Sequence, residues 1–182
     1  MKFIYPVIFA CCTTAASPTT HSNTDFSGHI GIDTRTFTDD SDYQNSVYIN
    51  PSWFWESESN QHQFALTLFG RHDSLDDRRS HADIRELSWH FISDTWELKA
   101  GIDKVFWGVT ESNHLIDVIN QTDLVDSVDG EKKLGQPMLH WSTVQNWGII
   151  DAFLLPYFRE RRFAGDEGRL KTTLPILPKQ AQ

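Results

Sequence analysis

Cysteine is nearly missing from this chain of 182 residues, which has only Cys11 and Cys12, side by side near the N-terminus. Both fall in a segment that reads as a removable signal, so the exported chain has no thiol. That excludes a disulfide framework, a thiolate zinc site and a cysteine nucleophile. Positive charge is also scarce. Lys+Arg number 16 against 25 Asp+Glu, a net charge of −9, which argues against a nucleic-acid partner. No run of about 18 apolar residues occurs, so no helix of this sequence can cross a bilayer. A transmembrane β-strand, however, needs only about 10 residues, and half of those can be polar. The Gly-x-Ser-x-Gly, phosphate-loop and dinucleotide fingerprints are absent, which argues against an enzyme, and nothing points to a cofactor. The 8 histidines (His21, His29, His62, His72, His81, His90, His114 and His140) are scattered and form no zinc signature, so a structural role is the plainer reading.

Hydrophobic residues make up 39% and charged residues 23%, too apolar a balance for a disordered chain. Aromatics reach 13%, with Trp 7 and Phe 12, a richness shared by strand proteins and membrane-interface belts. The length suits one domain. Residues 1–16 carry Met1-Lys2, an apolar stretch from Phe3 to Cys12 and small residues Thr14-Ala15-Ala16. This three-part pattern predicts a cleaved secretory signal; the bland alternative is a frayed soluble terminus. Residues 17–24 are polar and read as a flexible lead-in.

From Asp25 onward the chain alternates in twos. Between Tyr43 and Glu56 one parity carries Val47, Ile49, Pro51, Trp53 and Trp55, and the other Gln44, Ser46, Tyr48, Asn50 and Ser52. Period two means a strand with one apolar and one wet face. Pro51 has no N–H for a ladder, so a bulge or a strand end is expected there. Similar runs cover 25–37, 62–71, 85–92, 96–107, 138–144 and 147–156, giving seven candidate strands. In the last, Asp151 shares a parity with Ile149 and Phe153, and the other parity is apolar throughout, so its wet face is ambiguous.

The connections are short after the second, fourth and sixth strands and longer after the others, with 108–137 the longest. Short links require antiparallel neighbours. A meander with tight turns at one end and long loops at the other has the layout of an outer-membrane barrel. Phe26, Trp53, Trp55, Phe64, Phe91, Trp96 and Trp147 fall near the short-turn end, and Tyr43, Phe106, Trp107, Tyr157 and Phe158 near the other, as two interfacial girdles would. Trp packed in the core of a soluble sandwich is the competing explanation. In the long loop Ser112 could cap a short helix carrying Leu115, Val118 and Ile119. The loop also holds Asp117, Asn120, Asp123 and Asp126. It could fold into a barrel lumen or cap the barrel from outside.

Val105-Phe106-Trp107-Gly108, Asp117 to Asp123, and Leu155 to Arg161 together resemble a broad group of uncharacterised, porin-like proteobacterial outer-membrane barrels, over about residues 84–170. The resemblance implies a β-barrel with no agreed substrate and no catalytic residues. Such proteins usually have Asn-Pro where this chain has Asn120-Gln121, and they are much longer.

The expected architecture is therefore an all-β, antiparallel up-and-down meander over 25–158, a transmembrane β-barrel with an irregular tail at 159–182. Seven is odd where bacterial barrels are even from eight upward, so the chain reads as the N-terminal portion of a larger barrel. Unless closed, it should aggregate or form a homo-oligomer. Its partners would be outer-membrane lipid, lipopolysaccharide and the barrel-assembly machinery. The expected function is a porin-like passage for small solutes, lined by Arg35, Gln44, Ser46, Tyr48, Asn50, Arg71, Glu86, Ser88, His90, Glu97, Lys99 and Asp103. The alternative is a secreted soluble β-sandwich that binds a ligand such as carbohydrate. Ser88 and His90 share a strand face, an arrangement too common in a wet barrel wall to signal a hydrolase. The cluster Arg159, Arg161 and Arg162 could bind anionic lipopolysaccharide or line an anion path, but a solvated loop whose charges pair locally is the plainer reading.

Overall fold

The computed structural model describes residues 23–36, 43–105, 119–126 and 132–165. Seven strands follow in order: β1 Asn23–Thr36, β2 Tyr43–Glu56, β3 His62–Asp73, β4 His81–Ile92, β5 Trp96–Asp103, β6 Gln136–Gln145 and β7 Gly148–Leu154. Each pairs antiparallel with the next, and together they make one sheet in the order β1-β2-β3-β4-β5-β6-β7. The fold is thus all-β and a meander, with the pairs β2–β3, β4–β5 and β6–β7 joined by the short links. The sheet is not closed: β1 and β7 are its edges. No helix occurs among the described residues. The helix expected from Ser112 lies outside them, apart from Ile119, which sits in a bend. β1 starts inside the segment expected to be a lead-in, at Asn23.

Cross-strand register shows which side chains share a face. Arg35 lies opposite Gln44 and Asp33 opposite Ser46; Ser46 faces Asp73 and Tyr48 faces Arg71; His90 pairs with Gln63 and with Lys99. Lys99 pairs with His140, and Ser142 with Asp151. One face is therefore polar from β1 to β7. The ambiguity in β7 resolves with Asp151 on the polar side.

The two faces differ in burial in a way opposite to that of an ordinary soluble core. Among the described residues only Phe69, Val125, Leu134 and Met138 are buried hydrophobics, whereas 15 polar or charged residues are buried. On the other face Phe26, Ile30 and Ile32 are 75%, 63% and 69% exposed, and Val47, Ile49, Leu87 and Leu154 are also exposed. An apolar surface this continuous is far beyond the isolated exposed side chains normal on a monomer.

Two local irregularities shape the sheet. Pro51 causes neither a bulge nor a strand end, contrary to expectation. β2 runs through it with unbroken pairing to β1, and only the pairs between Ile49↔Gly70 and Ser52↔Thr67 are missing from the β2–β3 ladder. The Asn50 side-chain amide donates to the Leu68 carbonyl at 2.7 Å, supplying a donor where proline has none. The second irregularity is between Thr67 and Leu68, where the register with β4 slips from Thr67↔Glu86 to Leu68↔Ile84. Arg85 is the extra residue. A bulge breaks the period of two, so Arg85 turns to the polar face although it lies on the apolar parity of β4. The same break hides the strand's first residues, 81–84, from a strict alternation reading.

At the short-turn end, rings on the apolar face touch in series. Trp55 packs on Phe64 (5.6 Å between centroids), His62 on Trp89 (5.9 Å) and Phe91 (5.1 Å), and Phe91 on Trp96 (5.1 Å). Cross-strand aromatic pairs of this kind hold a sheet together and fix its register.

Candidate functional site

All twelve residues expected to line a passage lie on the polar face, contributed by β1 to β5. The structure does not bring them into one cluster. Gln44, Ser46, Tyr48 and Arg71 stand at the long-loop end, whereas Glu86, Ser88, His90, Glu97 and Lys99 stand toward the tight turns.

The long-loop half is filled by an ionic network. Asp33 accepts from Arg71 (3.1 Å) and Arg79 (2.7 Å) and faces Arg35 at 3.5 Å. Arg79 also meets Asp73 at 2.9 Å. Arg71 reaches Asp126 at 2.7 Å, and Arg85 reaches Asp123 at 2.6 Å and Asp126 at 3.6 Å. Lys132 closes on Asp126 at 2.7 Å. Phe69 forms the floor: the guanidinium of Arg85 lies 4.4 Å from its ring centroid, and that of Arg71 5.7 Å from it and 5.0 Å from the Tyr48 ring. The Tyr48 ring lies over Gly31, where a Cβ would meet the ring and turn it aside. Buried charges are tolerable only when paired in this way.

The network pins the long loop to the polar side of the sheet. The described part of the loop lies against the polar face. Asn120, Asp123 and Asp126 are all buried; Asp117 lies outside the described residues. Asn120 ties the loop's two ends together. Its amide donates to the carbonyls of Asp103 and Leu134, both at 3.0 Å, and its Oδ1 accepts from the Val105 amide at 2.8 Å. Thr122 and Lys133 form an antiparallel bridge within the loop. The return arm passes so close to the bulge that a Cβ on Gly135 would meet the Arg85 carbonyl oxygen at 2.6 Å.

Electrostatics follow from this packing. Burial pushes the Asp126 carboxyl up, but the Lys132 hydrogen bond and the charges of Arg71, Lys132 and Arg85 outweigh it, and the group titrates below its ordinary value. Arg79 is moved down by burial and then by its neighbours Arg71 and Arg35, with Asp33 and Asp73 opposing.

Nearer the tight turns the polar face stays open as a cleft of about 280 Å³, whose lining includes Asp25, Ser27, Gln63, Glu86, His90 and Lys99. Its groups are paired only locally. Ser88 donates to Glu86 at 3.3 Å, and His90 meets Glu97 at 3.0 Å and Gln63 at 3.3 Å. Ser88 and His90 make no hydrogen bond to each other. Lys99 pairs with Asp103 at 2.8 Å. Among the described residues no group of three or more His, Cys, Asp or Glu is placed to hold a metal ion.

Several members of the network are absent from the sequence-based set: Asp33, Asp73, Arg79, Asp83 and Arg85. Arg79 comes from the β3–β4 connection, and Arg159 pairs with Asp83 from the segment after β7; no periodicity reports on either. Arg85 had a signal. Two polar residues, Arg85-Glu86, stand in succession between Ile84 and Leu87, the mark of a bulge in an alternating strand.

Comparison with family models, characterised proteins and solved structures finds no match to this chain.

Proposed function

We propose that this chain is a porin-like outer-membrane β-barrel protein, or the part of one that these strands build, with its apolar face in lipid and its polar face toward an aqueous passage for small solutes. One observation carries the reading: the sheet buries its charges and exposes its hydrophobic side chains. Water as the only solvent makes that arrangement costly, at about 25 cal/mol for each Å² of apolar surface left wet. Lipid on one side and water on the other makes it favourable.

Dimensions support the reading for the longer strands. β1 and β2 have 14 residues each, or about 46 Å when extended, enough to cross a hydrocarbon core of about 30 Å at a tilt. β3, β4 and β6 have 12, 12 and 10 residues, within or above the usual span, while β5 and β7, with 8 and 7, are shorter. The unpaired edges of β1 and β7 cannot face lipid cheaply, since each exposed backbone group there costs several kcal/mol. Closure would come from further strands or from other copies of the chain. In the passage the pinned loop narrows the long-loop half, and the 280 Å³ cleft leaves the other half wet. Solutes would be sorted by bore and by the mixed charges of Glu86, Glu97, Lys99 and Asp103.

Cell fractionation tests this. The expected result is recovery in the outer-membrane fraction, with release only by detergent. Recovery from the periplasm or medium as a compact monomer in plain buffer would overturn it and favour a secreted ligand-binding protein. That protein would need a second sheet over the apolar face, and all the described strands lie in one.

A further inference from the structure

After β7 the chain does not leave the sheet. Residues 155–165 form a strap across its long-loop end. The Gln136 side-chain amide donates to the Tyr157 carbonyl, the Arg159 guanidinium bonds the Gly135 carbonyl at 2.9 Å and pairs with Asp83, and the Gly165 amide donates to Asp76 at 3.0 Å. Between the strap and the apolar face lies a cavity of about 900 Å³. That is near the upper end of the usual ligand-pocket range of about 300–1,000 Å³.

Ile49, Leu68, Ile84 and Ile102 supply an apolar wall, and the strap's Arg161 and Arg162 supply positive charge beside two carboxylates, Asp83 and Glu160. Arg159 is committed to Asp83. Arg161 and Arg162 are exposed and have no ion-pair partner among the described residues. Two unpaired guanidiniums beside a greasy wall match one kind of molecule: an acyl chain attached to an anionic headgroup. The position agrees, because Tyr43, Tyr157 and Phe158, all more than 60% exposed, stand at the same end, and such rings favour headgroup depth.

We propose that this cavity binds a phosphate-bearing lipid of the surrounding membrane, its phosphate on Arg161 and Arg162 and its chains along Ile49, Leu68, Ile84 and Ile102. The proposal rests on the outer-membrane reading for the source of the lipid. Guanidinium suits phosphate because its planar fork offers two parallel donors to two oxygens. The apolar wall is what distinguishes a lipid from a free anion.

The test uses the full chain purified in a neutral detergent, with retained lipid measured by mass spectrometry. Binding is then titrated with phosphatidylglycerol, lipid A, phosphatidylcholine and inorganic phosphate. The expected result is retained phosphorylated lipid, preference for the two anionic lipids over phosphatidylcholine, and little response to inorganic phosphate. The double variant R161A/R162A should lose about thirty-fold in affinity for the anionic lipid, from two surface cations near a phosphate. R161K/R162K, which keeps the charge but not the fork, should bind more tightly than R161A/R162A and less tightly than the native chain. Ile84→Asn should weaken lipid binding with both guanidiniums in place. Equal binding of phosphatidylcholine, equal binding of inorganic phosphate, or an R161A/R162A variant that binds as the native chain does would each overturn the proposal. Loss of the outer-membrane reading looks different: the native chain would fractionate as soluble. R161A/R162A, changed only at exposed positions, should still fractionate with the membrane.

Discussion

Replacing Asp126 with Asn removes one negative charge and almost no volume. Its side chain is 1% exposed and faces Arg71 at 2.7 Å, Lys132 at 2.7 Å and Arg85 at 3.6 Å. Lys132 is half exposed and can turn to water, so its loss matters little. Arg71 and Arg85 are 3% and 6% exposed and cannot. Each keeps a second partner, Asp33 at 3.1 Å and Asp123 at 2.6 Å. The cost therefore falls at the lower end of the usual 3–5 kcal/mol for breaking a buried pair, about 3 kcal/mol. Because Asp126 belongs to the loop and both arginines to the sheet, that energy is lost from the loop's attachment. Hydrogen exchange on the detergent-solubilised chain reads it at the Asp123 and Leu134 amides, which are bonded within the loop at 2.8 Å each. Those amides should exchange about a hundredfold faster, while the β2–β3 ladder keeps its protection. Glu97→Gln is the control. Its pair with His90 is 44% exposed on the Glu side and should change exchange by less than about fivefold. Unaltered loop protection in Asp126→Asn, within about threefold, would refute the claim that buried charge holds the loop.

The same group sets a pH dependence. Burial raises the Asp126 carboxyl, but Lys132, Arg71 and Arg85 together bring it below its ordinary 3.8. A depressed folded value means that the attachment is complete above about pH 5 and is lost as acid passes below 3.8 toward that folded value; loop exchange that quickens between pH 8 and 6 instead would contradict it. Asn50→Ala leaves the Leu68 carbonyl without its side-chain donor next to Pro51, and should lower stability by about 1 kcal/mol in thermal unfolding. Ile49→Arg places a charge on the apolar face near mid-strand and should cost about 2–4 kcal/mol in a bilayer. Ser52→Arg, on the polar face of the same strand, should cost less than half of that, and equal effects on membrane assembly would count against lipid on one side only.

Much of this molecule follows from a period of two. Gln44, Ser46, Tyr48 and Asn50 had to share a face opposite Val47, Ile49 and Trp53, because successive side chains of an extended chain point to opposite sides. The short links after β2, β4 and β6 could join only antiparallel neighbours, so the pairs β2–β3, β4–β5 and β6–β7 were also determined by sequence alone, whereas the pairs across the longer links were settled by the folded sheet. What alternation cannot report is anything that breaks it or comes from far along the chain. Arg85 reaches the polar face only because a bulge inserts it against β3. Asn50 covers for Pro51 only because Leu68 lies opposite with a free carbonyl. The side of the sheet on which Asp123 and Asp126 lie was decided by arginines 38 to 55 residues away, Arg85 to Asp123 and Arg71 to Asp126. The strap is held by contacts from far along the chain, among them Arg159 to Asp83 across a gap of 76 residues. Side-chain direction is local covalent geometry and repeats with the chain. The pairing of buried charges is a property of distance in space, which only the folded sheet sets.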